Sequence, residues 1–269
     1  MPTVTHDGVE LYYDAEGPSD RDAVAFVADV GYGAWQWGWQ HAAVAGPFES
    51  LVWDLRGTGR SDAPPGPYSV EALAADLEAV LADHGVRRAH VVGAGLGGMV
   101  ALQYALDYSR ARTLALVGTS PGGPQAVPTP EDVREQLLVD EKTEEAMRES
   151  LRPVLSEEFF AADPAEIVEW RLAEDAAPDA QRAQFAAMDD FDVADRLHEI
   201  TVPALVLHGT DDRVVPVENG RLLAANLPRG ELRELEGAPH LAFVEQSRTV
   251  NDELLAFLES HAETALDGD

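Results

Sequence analysis

The chain has 269 residues, 49 Asp plus Glu against 19 Lys plus Arg, no Cys and 45% hydrophobic residues. That is enough apolar material for one full-sized α/β domain, and it argues against disorder of the bulk. A formal net charge of -30 repels phosphates, so neither nucleic acid nor an anionic membrane is expected as a partner, and the absence of Cys removes disulfide frameworks and thiolate metal sites.

Short apolar runs rich in β-formers alternate with longer helical patterns. A hairpin is expected around residues 9–14, then strands at 23–30, 51–54, 89–92, 113–117, 204–208 and 232–235. Between them Ser69 caps a helix running to about His84, and helices are expected at 96–108, 217–226 and 248–261. Repeated strand, helix, strand units imply crossovers and a mostly parallel sheet. The alternation breaks after Pro121, where a Pro/Gly/Thr-rich stretch leads into a helical insertion. Segments 131–155, 164–174 and 179–188 are punctuated by Pro153, Pro164 and Pro178. The expected division is therefore a core at 1–121 and 191–262, a helical cap at 122–190 and an acidic tail at 263–269.

The first ten residues hold no basic segment followed by an apolar one, and no apolar run approaches a membrane-spanning length. The expectation is a cytoplasmic protein. Lys142 is the one lysine, all other strong cations being arginine. This composition resembles that of proteins kept in molar salt, where a Debye length of about 3 Å screens crowded carboxylates from one another.

Gly93, Gly95 and Gly98 spell G-x-G-x-x-G between an expected strand and an expected helix. A dinucleotide site would also need a carboxylate about 20 residues later to hold the ribose. The stretch Val117-Gly118-Thr119-Ser120 has none, and at least three strands precede this one. The other reading is a nucleophile elbow, a sharp strand-to-helix turn that lifts one side chain above the sheet edge. Gly31-Tyr32-Gly33 follows an earlier strand, the run Asp54 to Ser61 matches D-x-R-G-x-G-x-S, His208 to Pro216 follows a late strand, and Gly237-Ala238-Pro239-His240 follows the last one. In this order the four motifs resemble the α/β-hydrolase superfamily, in its esterase, enol-lactonase and haloperoxidase-like branch, from about residue 8 to 261.

The resemblance implies an α/β-hydrolase fold, an eight-stranded mostly parallel sheet flanked by helices, with the cap over the active site. It makes His240 the general base, Asp212 the acid that orients it, and Tyr32 and Leu96 the backbone donors to an oxyanion. The nucleophile position is Gly95, so the usual covalent step through serine is absent. A second departure is Val30 where the family has His, with Asp29 one step earlier. Asp211 is the alternative to Asp212, as a turn-capping neighbour.

Glycine leaves a hydroxymethyl-sized void in which a water is expected. His240 would deprotonate it for attack on a small ester, lactone or related carbonyl compound. Three other readings stay open: a non-hydrolytic dyad enzyme of lyase or cofactor-free oxygenase type, an inactive small-ligand-binding pseudoenzyme, and a hydrolase whose serine was replaced by engineering. Trp35, Trp37 and Phe243 are candidate substrate contacts, with at least one of Tyr32, Trp35 and Trp37 expected at the site. Phe159, Phe160, Trp170, Phe185 and Met188 are candidates to roof it. His208, Asp54 and Arg56 read as structural. No cofactor is expected, and the remaining histidines lack metal-ligand spacing, so no metal is expected either.

Overall fold

Asp7 and Gly8 both have positive φ, 48° and 79°, as a two-residue hairpin turn requires. A computed structural model describes residues 2–262, and the acidic tail expected at 263–269 lies outside them. The turn joins β1 (Thr3–His6) to β2 (Val9–Glu16) with Thr3 opposite Tyr12. The hairpin around 9–14 is thus made with the residues before it.

Six further strands complete one sheet: β3 (Ala23–Val27), β4 (Glu49–Trp53), β5 (Ala89–Ala94), β6 (Ala111–Val117), β7 (Ala204–Gly209) and β8 (Gly230–Leu235). The spatial order is β1-β2-β4-β3-β5-β6-β7-β8. β2 lies antiparallel to β4, and every pairing from β4 through β8 is parallel. β3, β5 and β7 are buried at every position, as expected of parallel strands covered on both faces, and this is why they read as continuous apolar runs. β3 stops at Val27, three residues short of its apolar run, and the chain turns through Asp29.

The helices cover the sheet. In α2 (Val70–Asp83) the Ser69 hydroxyl accepts from the Ala72 N–H, and Leu73, Leu77, Val80 and Leu81 form the buried stripe. Burying each such side chain contributes about 1.5–3 kcal/mol. α3 (Leu96–Asp107) packs against α2 and against β3, β5 and β6, while α1 (Gly38–Val44) packs on α10 (Ser247–Ser260). α9 (Val217–Asn226) lies on β7 and β8.

Between β6 and β7 the chain makes five helices: α4 (Glu131–Leu137), α5 (Glu144–Glu149), α6 (Glu157–Ala161), α7 (Ala165–Glu174) and α8 (Pro178–Asp189). The single segment expected at 131–155 is divided because the Thr143 hydroxyl accepts from the Ala146 N–H and starts a new helix there. The excursion is pinned where it leaves and returns, by a bridge between Gly122 and Asp192 and by the Val193 N–H donating to the Pro121 carbonyl. Among the described residues no helix is long and apolar enough to cross a membrane.

Candidate active site

The parallel strands β3, β5, β6 and β7 end along one edge, the edge at which open α/β sheets bind ligands. Gly95 stands there between β5 and α3 with φ 48° and ψ -115°, a conformation that strains any residue with a Cβ. The neighbouring glycine spacing has a packing cause. A Cβ on Gly98 would lie 2.5 Å from Thr119 Cβ, so the last glycine of the pattern lets α3 approach the turn after β6.

The void expected beside Gly95 is filled. A Cβ built on Gly95 would lie 1.8 Å from Asp29 Oδ1, so the Asp29 carboxylate occupies the place of a residue-95 side chain. The water expected in that niche is thereby displaced, because the turn after β3 delivers a charged side chain into the gap. Asp29 Oδ1 accepts from the N–H groups of Val30 at 2.7 Å and Leu96 at 2.8 Å. Tyr32, expected as the partner donor to Leu96, gives its N–H to the Asp29 carbonyl instead, at 3.2 Å. The N–H pair converging on one oxygen is Val30 with Leu96, since the bend after β3 turns the Val30 amide toward the carboxylate that precedes it.

Asp29 Oδ2 lies 2.9 Å from His240 Nε2, although the two residues are 211 positions apart. On the other side of the ring, His240 Nδ1 lies 2.8 Å from Asp212 Oδ2. Asp212 is held by its second oxygen, which accepts from the Val214 and Val215 N–H groups at 2.9 and 2.8 Å. Asp211 is exposed and faces Thr210 instead. Burial alone would push the His240 pKa down, but the charge and hydrogen bond of Asp212, reinforced by those of Asp29, raise it to about 10. At neutral pH the ring is an imidazolium that donates both N–H groups to carboxylates. His208 is buried with Nε2 2.8 Å from the Val215 carbonyl oxygen, and burial pushes its pKa down.

Asp29, Tyr32 and His240 meet Arg171, Gln181 and Phe185 around a cavity with a free volume of about 10 Å³, the scale of one water. Tyr32 is therefore the member of the aromatic trio that lines it. Trp37 and Phe243 are buried and stacked on each other with ring centroids 4.6 Å apart, so they support the site from the core. Trp35 gives its indole N–H to Asp175 and packs on Tyr32 and Trp170. Phe185 is the one residue of the expected roof that reaches the cavity lining.

Arg171, like Gln181, lines the cavity without a motif to mark it in the sequence. Its guanidinium is fixed by Asp175, the Met147 carbonyl and the Ser150 hydroxyl, and lies 4.9 Å over the Tyr32 ring. The only signal for it was a cation within an otherwise apolar stripe of α7. Among the described residues no group of three or more His, Asp or Glu side chains is arranged to hold a metal.

The alpha/beta hydrolase fold family matches residues 31–247 of the chain. A putative carbamate hydrolase RutD of Caulobacter segnis is 31% identical over 96% of this chain and 99% of its own length. The 3-oxoadipate enol-lactonase 2 of Acinetobacter baylyi is 28% identical over 96% of both chains. The crystal structure of a hydrolase from Pseudomonas aeruginosa PA01 superposes with a TM-score of 0.84 at 31% identity, over 95% of this chain and 96% of that one. Eight strands in the order seen here, helices on the sheet and a match across most of the length lead to one conclusion: this chain belongs to the alpha/beta hydrolase fold family.

Proposed function

We propose that the protein hydrolyses a small ester, lactone or related carbonyl compound, with His240 and Asp212 moving the protons and water as the attacking group. The observation that carries this reading is the 2.8 Å hydrogen bond between His240 and Asp212 at the cavity beside the residue-95 turn. Relatives whose names specify a lactonase and a carbamate hydrolase, both of which break a bond at a carbonyl carbon, support it. Residue 95 is read as the family's nucleophile position, and glycine there forms no acyl-enzyme. The helices over 122–190 are read as the cap that closes on substrate, with 1–121 and 191–262 as the core. The acid-rich, lysine-poor composition supports adaptation to molar salt.

Initial rates on short esters, lactones and carbamates in molar KCl test the proposal. His240→Ala is expected to lose roughly 10²- to 10⁴-fold, the usual contribution of positioned acid-base catalysis. Unchanged turnover in that variant contradicts it. A second reading, a binding protein, is favoured by the Asp29 carboxylate occupying the N–H groups of Val30 and Leu96, the pair that a substrate carbonyl oxygen would need. It would show as a small molecule retained through purification and no His240-dependent chemistry.

A further inference from the structure

Asp29 is a buried carboxylate that a dyad mechanism leaves without a task. Three features of its setting go beyond structural support. It fills the volume that a side chain at residue 95 would take, so the missing Cβ and the inserted carboxylate are one arrangement. It occupies the N–H pair of Val30 and Leu96 that would otherwise receive a substrate carbonyl oxygen. With His240 it lines the cavity, whereas Gly95 and Leu96 lie behind it.

We propose that Asp29 is the catalytic base of this chain, delivered from the turn after β3 into the place of the absent nucleophile, with His240 as its acid partner. The inference rests on the hydrolase reading above and inverts the expected role of the histidine. An imidazolium held between two carboxylates has no lone pair with which to take a proton, but it has one to give.

A water in the cavity forms its oxygen–carbon bond to the substrate carbonyl while its proton passes to Asp29 Oδ2. The carbonyl oxygen becomes anionic and faces the His240 Nε2–H. As the bond to the leaving oxygen breaks, His240 gives that oxygen its Nε2 proton. Asp29 then returns its proton to His240 across the 2.9 Å hydrogen bond, restoring carboxylate and imidazolium. One water is consumed, and one acid and one alcohol form, or a hydroxy acid from a lactone.

The test combines Asp29→Asn and Asp29→Ala kinetics with a single turnover of the unaltered protein in ¹⁸O-water, which needs no variant to fold. Asp29→Asn is expected to lose roughly 10²- to 10⁴-fold in kcat while its thermal unfolding stays cooperative, and the label is expected in the product acid alone. Label in the Asp29 carboxylate would overturn the base role in favour of a covalent nucleophile. A folded Asp29→Ala with unchanged or faster turnover would overturn it by making Asp29 a plug of the N–H pair. Those outcomes leave the hydrolase reading standing. An unaltered chain that turns over no ester, lactone or carbamate defeats both.

Discussion

Two buried aspartates in this molecule sit in the same kind of glycine turn and do different things. Asp54, in the turn after β4, is 2% exposed, and a Cβ on Gly59 would lie 2.2 Å from its carboxyl carbon. Asp29, after β3, is 3% exposed and stands against Gly95 in the same way. Asp54 gives both oxygens to backbone, accepting from the Ala34 N–H at 2.9 Å and the Arg60 N–H at 3.0 Å, and burial pushes its pKa up. Asp29 gives one oxygen to backbone and turns the other to His240. A carboxylate whose lone pairs end on amides ties two loops together. One that keeps an oxygen for a titratable ring helps to hold that ring charged, which is the step from structural to chemical use.

That contrast can be broken in solution. The largest expected effect is on turnover: Asp29→Asn loses roughly 10²- to 10⁴-fold, whereas Asp54→Asn, measured beside it, stays within a few-fold. Gly95→Ala should follow Asp29→Asn, because its Cβ evicts the carboxylate. Asp54→Ala removes the acceptors of the part-buried Ala34 and Arg60 N–H groups, at about 1–3 kcal/mol in all, a loss that chemical denaturation would read, and a change below about 0.5 kcal/mol would refute it.

The histidines set a pH dependence. His240, raised to about 10 in the fold, contributes stability that is fully present below its unfolded value near 6.5. That contribution is lost as pH rises through about 10, on the order of 1 kcal/mol per pH unit within that window. His90, which burial lowers to about 4, acts in the opposite sense and removes stability as pH falls from about 6.5 toward 4. Unfolding midpoints should therefore decline above pH 7, and the decline should be shallower in His240→Ala. The smallest effect is salt. At a net charge of -30, raising KCl from 0.15 to 1 M shortens the Debye length from about 8 to 3 Å and relieves self-repulsion. Each kcal/mol regained should lift the unfolding midpoint about 2–4 °C, and an unchanged midpoint would argue against salt adaptation.

Much of the fold was legible because buried parallel strands announce themselves as apolar runs between glycine turns. At β3 the expected strand runs on through Ala28 and Val30, yet it stops at Val27, and Asp29, the one charged residue of that run, turns inward. The pairing of His240 with Asp212 was legible through motif order, since each follows a strand that the sheet brings to one edge. What fills the space at Gly95 was not. The sequence displayed its two departures, Gly95 and Val30 with Asp29 one step before it, as separate oddities, and the link from Gly95 to Asp29 is a contact across 66 residues that only the closed sheet creates. Trp37 and Phe243, each apolar and near a motif, pack against each other rather than into the cavity, which their sequence positions do not reveal.

The most direct measurement is the protonation state of the His240 ring, read by ¹⁵N NMR of the unaltered protein between pH 5 and 11. Both ring nitrogens should carry protons at pH 8 and lose one near pH 10, as a ring held between Asp29 and Asp212 requires. A ring already neutral at pH 7 would contradict the role of Asp29 as its second carboxylate partner and return His240 to the part of a base.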